Sequence, residues 1–361
     1  MKIVIATPLY PPEIGGPATY AKLLEDGLPK KGIEVELVKF SEVRHLPKII
    51  RHYAYYRRVL KALRSADAVL VLDPVSVGLG AMWAARKAGK PLIVKIVGDY
   101  AWEQGQQRFG IAQTLDEFVK TKNVPFFVRI LRRIQTLVAM RATLILVPSE
   151  YLKSIVGTWG IEDDIIRVIY NAVTLKEIGI VPEEVLKLPR PLIVTAGRLV
   201  PWKNIDGVID AVADIPGASL VVVGDGPERT ALVHHAEKKL NGRAYFTGML
   251  SHKDTLATVR SADVFVLNSS YEGLSHLLIE AQALGVPIVA TRVGGNSEVI
   301  THEKDGLLVS SGDTALLTKA LLRVCSDEEL RMRLSTGAVE SAKRFSTETM
   351  LSATATALQN I

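Results

Sequence analysis

The feature that most constrains this chain is a repeated alternation. Short runs rich in Val, Ile and Leu recur along nearly the whole length, each followed by a segment with helical periodicity. That alternation is the sequence signature of parallel sheets built from strand–helix–strand units. The spacing predicts strands over 2–6, 34–40, 68–72, 92–97, 143–147 and 166–169, then over 192–196, 219–223, 244–246, 264–267, 287–290 and 307–309. They lack polar alternation, which predicts burial on both faces. Six fall on each side of a polar, proline-marked break at 171–191, and 361 residues exceed what one core usually serves. The expected fold class is therefore α/β, with two doubly wound, Rossmann-like domains facing a cleft. The boundaries expected are 1–170 and 171–345.

In open parallel sheets ligands bind beyond the carboxyl ends of the strands, so the loops there hold the candidate chemistry. After the seventh strand, "TAGRLVPWKN" carries Arg198 and Lys203 beside Gly197. Two cations next to a helix start suit a diphosphate, Arg as a fork and Lys as a point charge. "VVVGDGPERTAL" holds Gly224 in a tight turn, but Arg229 stands where a dinucleotide fingerprint needs its third glycine. "NSSYEGLSHLLIEA" is the most specific stretch. Gly273 lets backbone approach a ligand, with Leu274, Ser275 and His276 opening a helix whose free N–H groups suit an anion or sugar hydroxyls. On a regular helix Glu272 and Glu280 would lie about 12 Å apart, each able to accept from a pair of hydroxyls. The alternative is a surface helix with two solvated acids.

In the first half, "PPEIGGPATY" sets Gly15 and Gly16 before a helix that opens on Pro17. "VKIVGDYAWEQG" ends a strand at Asp99 and offers Tyr100, Trp102 and Glu103, which suits a carbohydrate or polar-acceptor pocket, the alternative being a capping Asp in an ordinary loop. Residues 99–141 read as the least regular part of this half, a mobile or acceptor-facing element. Charge is also uneven. Residues 1–170 carry 25 Lys and Arg against 16 acids, within a chain of net charge +6. Seven of those cations lie in 44–64, with Tyr53, Tyr55 and Tyr56 interleaved and no acid. Such a segment suits anionic headgroups or an anionic acceptor, or else is a solvated helix face.

The sequence has no D-x-D, C-x-x-C, H-E-x-x-H, G-x-S-x-G or P-loop motif, so neither a dedicated metal site nor P-loop or serine-hydrolase chemistry is expected. One cysteine, Cys325, forms no internal disulfide and suits a reducing compartment. No apolar run is long enough for a membrane span, and the N-terminus reads as a buried strand rather than a leader. The expected location is cytoplasmic, peripheral to the inner face of the membrane if the basic segment meets lipid; no nucleic-acid signature accompanies the charge.

With these loops in view, the chain resembles the GT-B glycosyltransferases of retaining family 4, also called glycosyltransferase group 1. The likeness rests on E-x(7)-E at Glu272 and Glu280, joined in order by "YPPEIGGPATY", "GRLVPWKN" and "VVGDGPER". It implies a nucleotide-diphospho-sugar donor in the C-terminal domain, an acceptor in the N-terminal domain, no cofactor and no metal. It further implies that Arg198 and Lys203 hold the diphosphate, Glu280 the ribose and Glu272 the sugar hydroxyls. Backbone from Gly273 to His276 would line the sugar and phosphate, Gly16 would approach the diphosphate, and backbone near Leu250 would meet the base. A C-terminal helix over 346–361 would cross back to the first domain. The family's H-G-D-like loop reads Val97-Gly98-Asp99 here, so the imidazole used by many relatives near the reacting sugar has no counterpart. A GT-B nucleotide-sugar epimerase or hydrolase and a Rossmann oxidoreductase are the alternatives carried forward.

Overall fold

Among the described residues the chain forms twelve strands in two six-stranded sheets, and every pairing within them is parallel. The computed structural model describes all residues except Ile14, Thr174 and Lys176. The chain divides into two units, Met1–Tyr170 with Thr347–Ile361, and Asn171–Ser346.

In the first unit β1 (Lys2–Thr7), β2 (Glu34–Lys39), β3 (Ala68–Val71), β4 (Leu92–Lys95), β5 (Leu144–Val147) and β6 (Ile166–Val168) lie in the order β2-β1-β3-β4-β5-β6. Ile3, Val4, Ile5 and Ala6 are all fully buried, because helices cover both faces of β1. Burial on both faces fails at the edge: β2 shows Glu34 and Glu36 to solvent, where Lys2 pairs with them at 3.3 and 2.9 Å. An edge strand has only one neighbour, so its polar residues stay wet. The helix Thr347–Gln359 belongs to this unit. It packs Leu351 so closely on Gly27 that a Cβ there would lie 2.2 Å from Leu351 Cδ1, and Lys31 pairs with Glu348.

Residues 99–141, expected to be irregular, form three helices, Tyr100–Arg108, Leu115–Phe118 and Phe126–Ala139. The first is capped by Asp99, which accepts from Trp102 N at 2.9 Å. The second starts at a Thr114/Glu117 capping box. Local capping chemistry thus organises a segment whose composition alone read as the least regular part of this half.

The second unit holds β7 (Leu192–Ala196), β8 (Ser219–Val223), β9 (Ala244–Gly248), β10 (Val264–Leu267), β11 (Ile288–Thr291) and β12 (Leu307–Val309), in the order β12-β11-β10-β7-β8-β9. Successive residues of a strand point to opposite faces. Ile193, Leu220 and Val222 accordingly join one core, with Val208, Ile209 and Leu321, while Val194, Val221 and Val223 join another, with Leu278 and Ile279. Strand β9 is only half-buried along its length, again as an edge. The order runs outward from β7 through β8 and β9 on one side, and from β10 through β11 and β12 on the other. The loops after β7 and β10 therefore leave toward opposite faces, and a crevice opens at the carboxyl ends of these two strands.

Candidate active site

Two loops meet at that crevice. Residues 197–204 follow β7 and residues 268–275 follow β10, and they are clasped by reciprocal amides: Asn204 Nδ2 donates to Asn268 O at 3.2 Å and Asn268 Nδ2 to Asn204 O at 3.0 Å. Ser270 N donates to Trp202 O at 2.8 Å. Asn204 sits at φ 45°, a left-handed conformation that Asn tolerates. Inside the clasp Lys203 Nζ lies 2.5 Å from Glu272 Oε1, which also accepts from Ser269 Oγ at 2.6 Å. Both charged side chains are largely shielded, with 15% and 12% exposure. Arg198, in the same loop, is exposed and makes no side-chain hydrogen bond or ion pair among the described residues. The loop after β7 therefore carries an exposed guanidinium with no protein partner among the described residues, five positions before a lysine balanced by Glu272; an unpartnered guanidinium suits an incoming anion.

Glycines bring neighbouring backbones to this edge. Gly224, at φ 127°, donates its N–H to Gly248 O at 2.9 Å, and a Cβ on it would lie 2.0 Å from Gly197 O. A Cβ on Gly226 would lie 2.3 Å from Leu199 O, and Leu199 N donates to Asp225 O at 3.0 Å. Gly197, at φ 144°, has the stem of Lys203 beside it, 3.7 Å from a built Cβ to Cε. Gly224 and Gly226 are glycine because main chain occupies the space of a side chain, and Gly197 because its backbone takes a positive φ.

The helix predicted to open at Gly273 runs His276–Ala283 instead, with Ser275 as its cap. Glu272 thus sits in the preceding loop, and the two-turn helical separation expected between Glu272 and Glu280 does not apply. Backbone holds that loop from behind: Gly295 N donates to Glu272 O at 3.0 Å, and a Cβ on Gly295 would lie 2.4 Å from Gly273 O. Leu274 and Ser275 are buried, so their contribution is backbone, while His276 Nε2 meets Asn171 Nδ2 at 3.0 Å.

Glu280 is buried to 7% exposure yet reaches His252 Nε2 at 2.8 Å. This hydrogen bond raises the His252 pKa above the ordinary imidazole value, against the lowering effect of its burial. His252 opens the helix His252–Arg260 just after the half-buried Leu250 and beyond β9. Sequence reading missed it, although Ser251 and Asp254 mark a capped helix start there. Asn204, Asn268 and Ser269 lay within the loops singled out but were given no role, and Gly295 lay outside them; the partners of Asn204, Asn268 and Gly295 are distant in sequence, while Ser269 reaches Glu272 only three residues on.

The remaining candidates lie in the first unit. Gly16 begins the helix Gly16–Gly27, with nothing within 4 Å of a built Cβ. Asp99 is almost fully buried; burial raises its carboxyl pKa, against hydrogen bonds from Trp102 N and Gln135. The structure gives Asp99 the work of a helix cap. Val97 is exposed beyond β4.

Two family descriptions match in tandem: a glycosyl transferase 4-like domain over residues 4–172 and glycosyl transferases group 1 over residues 180–340. The chain belongs to the group 1 glycosyltransferases. Among curated relatives, the chain is 39% identical over 157 residues to the lipopolysaccharide core biosynthesis glycosyltransferase LpsD of Rhizobium meliloti, 43% of this chain and 45% of that one. It is 28% identical over 263 residues, 69% of this chain and 64% of the other, to an Escherichia coli UDP-Gal:alpha-D-GlcNAc-diphosphoundecaprenol alpha-1,3-galactosyltransferase. The chain spans about half the length of the first curated relatives it matches, 45% and 50%. The chain also superposes on Anabaena Alr3699/HepE in complex with UDP and glucose, with a TM-score of 0.79, 18% identity and full coverage of both chains. The architecture is GT-B.

Proposed function

We propose that this chain transfers a sugar from a nucleotide-diphospho-sugar to a hydroxyl of a cell-envelope polysaccharide or glycolipid precursor, without a metal and with retention at the anomeric carbon. The observation that carries the reading is the crevice between β7 and β10, where the exposed Arg198 stands free in the loop whose Lys203 pairs with Glu272. Family membership supports it, and so do the names of relatives that act on lipopolysaccharide core and on a lipid diphosphate-linked sugar.

Breaking the glycosidic bond to phosphate builds negative charge on the diphosphate, so fixed cations favour the transition state over the bound donor. Arg198 supplies a fork for those oxygens. Lys203 supplies a second charge, turned from Glu272 toward the phosphate as the donor enters. Glu272, kept in place by Ser269, then accepts from sugar hydroxyls, and Glu280 exchanges His252 for the ribose diol. Backbone N–H groups at the start of His276–Ala283 face the phosphate and sugar. The departing phosphate oxygen takes the acceptor's proton on the face where the hydroxyl attacks, which leaves Glu272 free of any covalent role.

A thermal-shift screen of nucleotide-diphospho-sugars, UDP-sugars first, tests the donor assignment, because stabilisation follows occupancy of the folded state. Transfer with the responding donor in excess EDTA, and the anomeric configuration of the product by NMR, test metal independence and retention. Donor consumed equally fast without any acceptor would support the hydrolase or epimerase reading instead.

A further inference from the structure

One cavity of the first unit is lined by none of the residues placed at the crevice between β7 and β10. It measures about 910 Å³ and lies between the helices Lys48–Ala62 and Gly78–Ala88, below the loop that follows β3. That volume is at the upper end of what small-molecule sites offer. Its walls are aromatic and aliphatic, with Phe40, Tyr56, Leu79 and Trp83 among them. Tyr53 at 60% and Trp83 at 47% exposure stand at its mouth as apolar surface that water contacts.

Three permanent cations line the same cavity, Arg51, Arg86 and Lys87, and no carboxylate and no side-chain amide does. None of the three forms an ion pair among the described residues, although nearby Arg44 and Arg58 are neutralised by Glu13 and Glu42. The Arg51 Nε–H is moreover buried with no acceptor. A buried donor left unmet costs free energy unless a ligand supplies the oxygen. Sugar diols are best held by carboxylates and amides, and the lining has neither, offering only His52, Ser76 and tyrosine hydroxyls as side-chain acceptors against three cations. The combination fits a molecule with an apolar chain and a compact anionic head.

We propose that this cavity seats a lipid phosphate, its aliphatic chain against Trp83, Tyr56 and Leu79 and its phosphate on Arg51, Arg86 and Lys87. Resting on the transferase reading, this assigns the acceptor a class, a phosphate-linked lipid, and gives the first unit a site that holds it as a single molecule.

Farnesyl phosphate, kept below its micelle-forming concentration, is the probe, with Trp83 fluorescence as the readout and Trp83→Phe as its control. Saturable binding is expected, weakened at least tenfold by Arg86→Gln/Lys87→Gln and by Leu79→Trp, which fills the cavity. Farnesol, lacking the head, binds at least tenfold more weakly, and pyrophosphate, lacking the chain, leaves Trp83 unmoved. Arg86 and Lys87 are exposed, so their double variant keeps its fold even if Leu79→Trp does not. Equal binding of farnesol and farnesyl phosphate, or binding unchanged by the double variant, overturns the proposal. So does loss, in that variant, of binding to phosphatidylcholine vesicles containing one-third phosphatidylglycerol while farnesyl phosphate still binds, which marks a bilayer-docking patch. No donor is present in these measurements. Failure of transfer with intact farnesyl phosphate binding therefore refutes only the transferase reading, and transfer to a soluble acceptor without that binding refutes only this one.

Discussion

Lys203 Nζ lies 2.5 Å from Glu272 Oε1, joining two loops 69 residues apart at the point where the second sheet reverses its strand order. Both groups are shielded, so removing one leaves the other's charge poorly solvated. Lys203→Ala and Glu272→Ala should each destabilise the unit, and the double variant should recover part of the loss, with a coupling of roughly 1–2 kcal/mol. Urea denaturation of the four proteins measures it. Strict additivity would mean that the pair contributes nothing in solution.

Gly16 and Gly224 separate the two uses of glycine. Gly224→Ala forces a Cβ to within 2.0 Å of Gly197 O from a backbone at φ 127°, so a destabilisation of about 2 kcal/mol or more is expected. Gly16→Ala meets nothing within 4 Å, and should leave stability unchanged or slightly raised. If Gly16 approaches a ligand, its kcat/KM nevertheless falls. Calorimetry and initial rates on the two variants distinguish these patterns. A Gly16→Ala enzyme with full activity removes Gly16 from the donor site.

His252 reports on Glu280. Its pKa is raised first by the hydrogen bond to Glu280, so its stabilising contribution is complete below the unfolded value and is lost as pH rises through the higher folded value. A donor ribose that takes Glu280 must displace this imidazolium. Donor affinity is therefore expected to increase with pH across that window, and the His252 ring resonance should titrate lower when donor is bound. An NMR titration checks it. Identical titration with and without donor contradicts the exchange.

Lys95 sits fully buried on β4, donating to Ile169 O at 3.1 Å with its ammonium 4.9 Å from the Tyr20 ring centroid. Burial lowers its pKa from the ordinary lysine value of 10.5 to about 7. Between those values the unfolded chain holds a proton that the folded chain does not, so this group makes stability rise with pH from about 7 to 10.5. Lys95→Met should flatten that rise and raise the melting temperature at pH 7. An unchanged slope in calorimetry across this range would show that Lys95 stays charged.

Much of the architecture was legible because strand identity is a local property. Each of the twelve apolar runs became a strand, and Leu192–Ala196 and Ser219–Val223 were placed to the residue. Helix starts were less legible. Gly273 drew the reading of its helix forward, whereas Ser275 supplies the cap and leaves Glu272 in a loop. Partnerships were not legible at all: Lys203 with Glu272, Asn204 with Asn268 and His252 with Glu280 depend on which strands lie side by side. The basic tyrosine segment shows the same limit. Its sequence gave charge and aromaticity, but the cavity exists only because Gly78–Ala88 packs alongside Lys48–Ala62.

Arg198 tests the central claim most directly. Being exposed and without a side-chain partner among the described residues, it should be removable at little cost to stability, within about 0.5 kcal/mol. The measurement is kcat/KM for the donor in wild type and Arg198→Ala, alongside their melting temperatures. A loss of ~10²–10³ in kcat/KM with unchanged melting is the expected result. Wild-type kcat/KM in Arg198→Ala would contradict a diphosphate held at this crevice.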